Sequence, residues 1–200
     1  MLVRDYDDKK FSDLMQEKNL LRQYDYMSNC IEIGLSQGPH SFDKYFLWSL
    51  NHIAVANISQ FGGRFRVEPI YVGDHVPPHY KDVPELVDRY ISFIHENWFV
   101  CSPTMLAAYG LWRLNWIHPF VEGNGRTARA VCYYLLCARG GALLGGQKML
   151  PERIRENRQA YVAALKAADV AWAAGDFDLT ELEDFLFDLT IAQVRNENGR

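Results

Sequence analysis

Cysteine is scarce in this chain, with four in 200 residues. Cys30, Cys101, Cys132 and Cys137 have neither the density of a secreted disulfide scaffold nor the clustering with histidine that marks a zinc site. Nor does one sign of charge dominate. The 21 Lys and Arg against 25 Asp and Glu leave a net charge of −4 with the signs interspersed, so no basic stripe exists to follow a nucleic-acid backbone. Nucleic acid is therefore not an expected partner. No apolar run approaches the roughly 18 residues that cross a bilayer, and the first ten residues contain no apolar signal region. A cytoplasmic protein without a membrane partner is expected. Internal repeats, low-complexity tracts and linkers are missing too, and 48% hydrophobic content fits one domain over residues 1–200.

What is there is helical periodicity. Leu20, Tyr24, Met27 and Ile31 share one face of a first helix that Gly38-Pro39 ends. Ser41 can cap a second helix, with Phe42, Phe46, Leu50 and Ile53 on one side and Gly62-Gly63 as its stop. Residues 64–83 change character, because Phe65, Val67, Ile70, Tyr71 and Val72 favour strand while Gly73-Asp74 and Pro77-Pro78 favour turns. A short hairpin or flap is the simplest reading. Pro84 opens a third helix and Ser102-Pro103 a fourth, whose Leu106, Leu111, Trp112 and Leu114 point to a buried, central position. A further helix over 126–139 ends at Gly140-Gly141, and two or three more follow from Pro151, divided near Gly175-Asp176.

Between the fourth and fifth helices lies His118-Pro-Phe-Val-Glu122-Gly-Asn-Gly-Arg126-Thr-Ala-Arg129. Gly123 and Gly125 allow positive φ and close approach, so the loop can aim backbone N–H groups at one point, where the following helix adds a field that favours anions. That point suits a phosphate. Arg126 and Arg129, three residues apart on a helix, leave the same face and can fork onto further phosphate oxygens. Glu122 is a hard oxygen donor beside those phosphates and suits Mg²⁺, which needs only one or two protein oxygens. His118 alone in the loop has an ordinary pKa near neutrality and is the candidate general base. His75 and His79 flank Pro77-Pro78 without a third ligand, so they are read as flap structure.

The stretch 118–129 resembles the signature of the Fic family, His-x-Phe-x-(Asp/Glu)-Gly-Asn-Gly-Arg-x-x-Arg, at every defined position. Residues 63–66 and 72–78 resemble the family's flap, and Asn157-Arg158 with 161–168 its later helices. The resemblance implies a mainly α, Fic-type helical bundle with a short β-hairpin flap near residues 64–76. It implies ATP as co-substrate with Mg²⁺ as cofactor. His118 would deprotonate a Ser, Thr or Tyr hydroxyl of a target protein docked along the flap, at residues 62–83, and AMP would be transferred to it. Glu122 would hold the metal, and Gly123, Asn124, Gly125, Arg126 and Arg129 the phosphates. Tyr161 and Val72 would approach the base. Phe120 would anchor the loop.

Residues 28–34 also resemble the inhibitory helix of the family, with Ser28 and Glu32 in its pattern and Ile33 departing from it. The expectation is an inhibitory helix within residues 1–38, in which Glu32 pairs with Arg129 and draws it away from the γ-phosphate. Other reactions at the same site stay open: removal of AMP, transfer of another nucleotide or phosphate, or a catalytically quiet toxin–antitoxin binding module. A homodimer stays open as well.

Overall fold

A computed structural model describes residues 8–195, so the ends of the expected 1–200 domain lie outside the described residues. Those described form α1 (Asp8–Gln37), α2 (Lys44–Ala54), α3 (Val83–Asn97), α4 (Pro103–Ile117), α5 (Asn124–Gly140), α6 (Leu150–Glu156), α7 (Arg158–Ala173) and α8 (Thr180–Arg195). None of these is long and apolar enough to cross a membrane.

The centre of the bundle is the pair α4 and α5, which is where all-round apolar helices have to go. Leu106, Leu111, Leu114 and Ile117 of α4, and Val131, Cys132, Tyr133 and Leu135 of α5, are all fully buried. Each such aliphatic side chain contributes about 1.5–3 kcal/mol by leaving water. Close approach is possible because α4 has Gly110 at the crossing, where a Cβ would meet Leu135 Cδ1 at 2.4 Å. The other helices cover this pair: α1 and α2 pack on α5, α3 on α4, and α8 on α4 and α6. All four cysteines are free, and Cys132 and Cys137 are buried as read.

Ser102 caps α4 through Met105 N–H at 2.9 Å, and Gly141, at φ 86°, closes α5. Three α-helices, α6 to α8, follow residue 149. Two expectations at α2 fail. Residues Gly38–Ser41 wind into a 3₁₀ turn, so the start moves on and Asp43 is the cap, accepting from Phe46 N–H at 2.8 Å. Ser41 Oγ instead meets the Tyr134 hydroxyl at 2.6 Å. At the other end α2 stops at Ala54 rather than at Gly62-Gly63, and turns with Asn57 at φ 61° lead on to the flap.

The flap is extended, but no strand is formed among the described residues. Two isolated antiparallel bridges occur there: Phe65 with Phe120, and Val72 with His75. The first ties the flap to the loop after α4; the second closes its turn. His75 Nε2 donates to Trp116 O at 2.9 Å and Lys166 Nζ lies 3.2 Å from Asp74, so the turn is held against α4 and α7.

Candidate functional site

The end of α4 is a polar problem, since the last carbonyls of a helix have no partner within it and carry the negative end of its dipole. Arg66, nearly fully buried, solves it. Its Nε donates to His118 O at 2.8 Å and its Nη2 to Pro78 O at 2.6 Å and Ile117 O at 3.3 Å. Its backbone N–H donates to Pro119 O at 2.9 Å. One flap side chain thus holds the turn at which His118 adopts the left-handed region, at φ 50° and ψ 59°. A non-glycine residue stays there only when its surroundings fix it.

The ring of His118 is fixed as well. Nδ1 lies 3.1 Å from Asn115 O. A carbonyl only accepts, so Nδ1 carries the proton and Nε2 keeps its lone pair. Burial brings the pKa of the ring down to about 4, with the charges of His75 and Arg66 pushing the same way and the Asn115 bond opposing them. His118 is therefore neutral at pH 7, with an unprotonated nitrogen.

The loop that follows is shaped by two buried asparagines. Asn124 is 2% exposed, and its amide exchanges two bonds with the backbone of Phe120, at 2.9 and 2.8 Å. Both ends of the amide thus take part in closing the loop, and Asn124 also lines the cavity described next. Asn51 of α2 donates to Glu122 O at 2.8 Å and accepts from Gly63 N–H at 2.9 Å, so it ties the loop to the flap's start. Gly123 sits at φ 78°, where a Cβ would also lie 2.6 Å from Val55 Cγ1. Phe120 is fully buried, the anchor expected of it.

Two cavities meet at His118. The first, about 630 Å³, is lined by His118, Glu122, Gly123, Asn124, Gly125, Arg126 and Arg129, with α1 and α6 opposite. Arg126 anchors one nitrogen on Ala54 O at 2.6 Å, and Arg129 lies against the helix start, where a Cβ on Gly125 would be 3.2 Å from its Nη1. Burial lowers the pKa of both guanidinium groups, which is the response of cations held without full neutralisation. The Glu122 side chain is exposed and opens on this cavity. The second cavity, about 260 Å³, has aromatic and polar walls from Val72, His75, Trp112, Asn115, Trp116, Arg158 and Asp169.

Of the expected residues, the loop set and both arginines come together at the first cavity and Val72 at the second. Tyr161 does not join them: it is core, accepts from Asn115 Nδ2 at 2.9 Å and stacks on Phe185. Its place on α7 turns it inward, and Arg158 and Val162 line the cavity instead.

Ser28 and Glu32 are also not at the site. Helix α1 does cross the first cavity, but with Asp13, Gln16, Glu17, Leu20, Gln23 and Tyr24. Glu32 is exposed and lies about 12 Å further along the axis than Tyr24, at 1.5 Å per residue. The expected pairing of Glu32 with Arg129 is absent among the described residues. α1 is held in register by buried polar side chains, Asn19 Nδ2 on Ala56 O at 2.7 Å and Gln23 Nε2 on Leu50 O at 2.9 Å. Sequence reasoning missed Glu17, Asn51 and Arg66. For Glu17 a signal existed, its three- and seven-residue spacing to Leu20 and Tyr24; Asn51 had none.

Residues 41–136 match the family described as Fic/DOC. Over that stretch the chain is similar to the Fic/DOC family. Proteins named protein adenylyltransferase Fic are similar to it: that of Drosophila persimilis is 41% identical over 80 residues, which is 40% of this chain and 16% of the relative. That of Culex quinquefasciatus is 40% identical over 80 residues, with the same coverage. The match thus spans 16% of the length of these curated relatives. Among solved structures, Fic-1 from C. elegans aligns with a TM-score of 0.70 at 20% identity, covering 100% of this chain and 54% of that one. A Fic domain containing signaling protein from Bacteroides thetaiotaomicron aligns at 0.67 and 17% identity, covering 90% and 70%. Both share the fold.

No cluster of three or more His, Cys, Asp or Glu that could hold a metal occurs among the described residues. Glu122 is a single hard donor at the mouth of an arginine-lined cavity. That donor set fits a Mg²⁺ whose other ligands are phosphate oxygens and water, and does not make a cation site of its own.

Proposed function

We propose that this protein transfers AMP from ATP to a hydroxyl group of a target protein. The observation that carries this reading is the place of His118, which keeps Nε2 unprotonated and lines both a cationic cavity suited to a polyphosphate and an aromatic-walled cavity suited to a nucleoside. The similarity to proteins named adenylyltransferases supports it.

In this reading the phosphates lie over the N-terminus of α5, against the backbone of 123–125 and the guanidinium groups of Arg126 and Arg129. The nucleoside lies in the second cavity beside Val72 and Trp116. A target hydroxyl approaches from the flap, Nε2 of His118 accepts its proton, and its oxygen attacks the α-phosphorus. The bond from that phosphorus to the bridging oxygen breaks, and pyrophosphate leaves. Mg²⁺ held by Glu122 and the phosphates would offset the negative charge that collects on the leaving group. The protein's part is positioning and charge stabilisation, which suits phosphoryl chemistry. Val67, Tyr71 and Val76 of the flap are 74%, 79% and 70% exposed, leaving an extended edge on which a target segment can pair.

Autoinhibition in this reading belongs to Glu17. It is a carboxylate that α1 sets in the wall opposite Arg126 and Arg129, where it can compete with phosphate for a guanidinium. The reading is tested by supplying Mg²⁺ with ATP labelled at either its α- or its γ-phosphorus to the Glu17→Gly form, with the protein itself as first acceptor. Label from the α position supports AMP transfer; label from the γ position alone overturns it in favour of phosphate transfer.

A further inference from the structure

We infer that His75 is a positioning residue for the nucleoside: set between the carbonyl of Trp116 and the carboxylate of Asp169, it fixes the flap turn that forms one wall of the smaller cavity. This rests on the reading of that cavity as the nucleoside site and adds two residues, His75 and Asp169, that lie outside the signature.

The turn needs an anchor. Its own backbone closes it only through Val72 N–H on His75 O at 3.2 Å and His75 N–H on Val72 O at 3.0 Å. Val72, Gly73 and Asp74 all line the cavity, so where the turn sits decides the cavity's shape. The outer contact, Lys166 Nζ to Asp74 at 3.2 Å, joins two side chains that are 62% and 92% exposed and therefore holds little.

The inner contacts start from the core. Buried Trp112 donates its Nε1–H to Asp169 Oδ1 at 2.8 Å, which fixes that carboxylate on α7. The other oxygen, Oδ2, lies 4.0 Å from His75 Nδ1, while His75 Nε2 donates to Trp116 O at 2.9 Å. A carbonyl and a carboxylate can only accept. The neutral ring has one proton and gives it to Trp116; the imidazolium has two and can serve both neighbours. Trp116 also belongs to the last turn of α4, where the helix dipole favours a cation. The charged ring therefore holds the turn more firmly than the neutral one.

The other charged groups of the surrounding elements are already engaged or stand apart from the ring. Arg66 is spread over the carbonyls of Ile117, His118 and Pro78, and Lys166 pairs with Asp74. Arg113 stacks on Trp116 at 4.0 Å, and Arg158 lines the same cavity. His118 is neutral above about pH 4, so it does not oppose a charge on His75 in the range where histidines ordinarily titrate. A wall that is in place for only part of the time weakens the apparent affinity of its ligand by that fraction.

The experiment measures the Kd of adenosine and of inorganic triphosphate at about pH 8 and about pH 5.5. It uses the unsubstituted chain and His75→Gln, His75→Ala, Asp169→Asn and Val162→Trp, with the melting temperature of each. Adenosine reads the smaller cavity and triphosphate the larger. In the parent the Kd of adenosine should fall about 5-fold at the lower pH. His75→Gln keeps one donor for Trp116 O but does not titrate, and Asp169→Asn keeps an oxygen for Trp112 but not the charge; both should lose the pH dependence. His75→Ala should bind adenosine about 5-fold more weakly than His75→Gln at either pH. At each pH the three variants should bind triphosphate as the parent does.

If the His75 and Asp169 variants bind adenosine as the parent does at both pH values, the inference fails and the nucleoside reading of the cavity stands. A pH dependence that survives in His75→Gln overturns it in the same way. If the parent binds no adenosine, or Val162→Trp, whose indole fills the cavity, binds it unchanged, the nucleoside reading fails and takes the inference with it. His75→Gln and Asp169→Asn proteins that melt lower and lose adenosine and triphosphate alike assign the pair to packing and overturn the inference.

Discussion

His118 donates its Nδ1 proton to the carbonyl of Asn115, 3.1 Å away and one turn earlier on the same helix. The bond fixes both the tautomer and the direction of the ring, and it exists because α4 ends in a left-handed residue at the histidine itself. The consequence is a neutral imidazole whose Nε2 is left without a proton and with no carboxylate bonded to its Nδ1.

The depressed pKa of about 4 sets a pH dependence. Above it the ring is neutral and can accept a proton, so kcat/KM for AMP transfer should be flat from pH 7 to 5 in its dependence on His118. The acid limb should lie near pH 4 rather than near the ordinary 6.5. For stability the sign is the same. The unfolded chain binds the proton below 6.5 and the native one only below about 4, so native stability present above pH 6.5 is lost as pH falls through that window. The loss is on the order of 3 kcal/mol, and His118→Ala should flatten it in urea unfolding measured across the window.

Glu17 and Glu32 share α1 but only Glu17 faces the cavity. Glu17→Gly is expected to raise the rate of AMP transfer several-fold, and Glu32→Gly to leave it within a factor of two of the parent. Side-by-side rates with ATP and Mg²⁺ check this; activation by Glu32→Gly alone would return the brake to the sequence-derived position.

Asn124 works through the loop's shape. Asn124→Ala leaves the N–H and C=O of Phe120 unpaired in a buried place, a cost of about 1–3 kcal/mol for each group. The melting temperature should fall together with activity. A side chain that only touched phosphate would leave the free protein's melting temperature unchanged, and calorimetry without nucleotide separates the two.

Arg66 is the clasp between flap and α4. Arg66→Met keeps much of the volume but strands the carbonyls of Ile117, His118 and Pro78, so we expect a loss of about 3 kcal/mol or more. The fluorescence of Trp116, whose helix turn the arginine holds, should change in the folded variant.

Much of this was legible from local patterns. The helices from α3 onward follow apolar spacing and Ser, Pro and Gly punctuation, and the loop at 118–129 could be read from the needs of an anion. Cooperative, long-range contacts were not legible. The loop-closing role of Asn124 could not be read, because nothing in its own neighbourhood shows that Phe120 folds back onto it. Tyr161 could be placed near a nucleotide only by resemblance, because its inward turn is set by packing on Phe185 of α8. Which carboxylate of α1 faces the cavity was not legible because a 30-residue helix offers several at similar spacing. Which of them lines that cavity depends on where Gln23 pins the helix to α2 and Asn19 to the turn after it, contacts with residues more than 25 positions away.

The central claim is that the bond broken lies between the α-phosphorus and the bridging oxygen, with His118 taking the hydroxyl proton. The most direct measurement is the release of pyrophosphate against AMP incorporated, in the Glu17→Gly form with and without His118→Ala. The account predicts one pyrophosphate for each AMP attached to protein, and a rate at least about 100-fold lower once His118 is replaced. Release of orthophosphate in place of pyrophosphate, or a rate indifferent to His118, would contradict it.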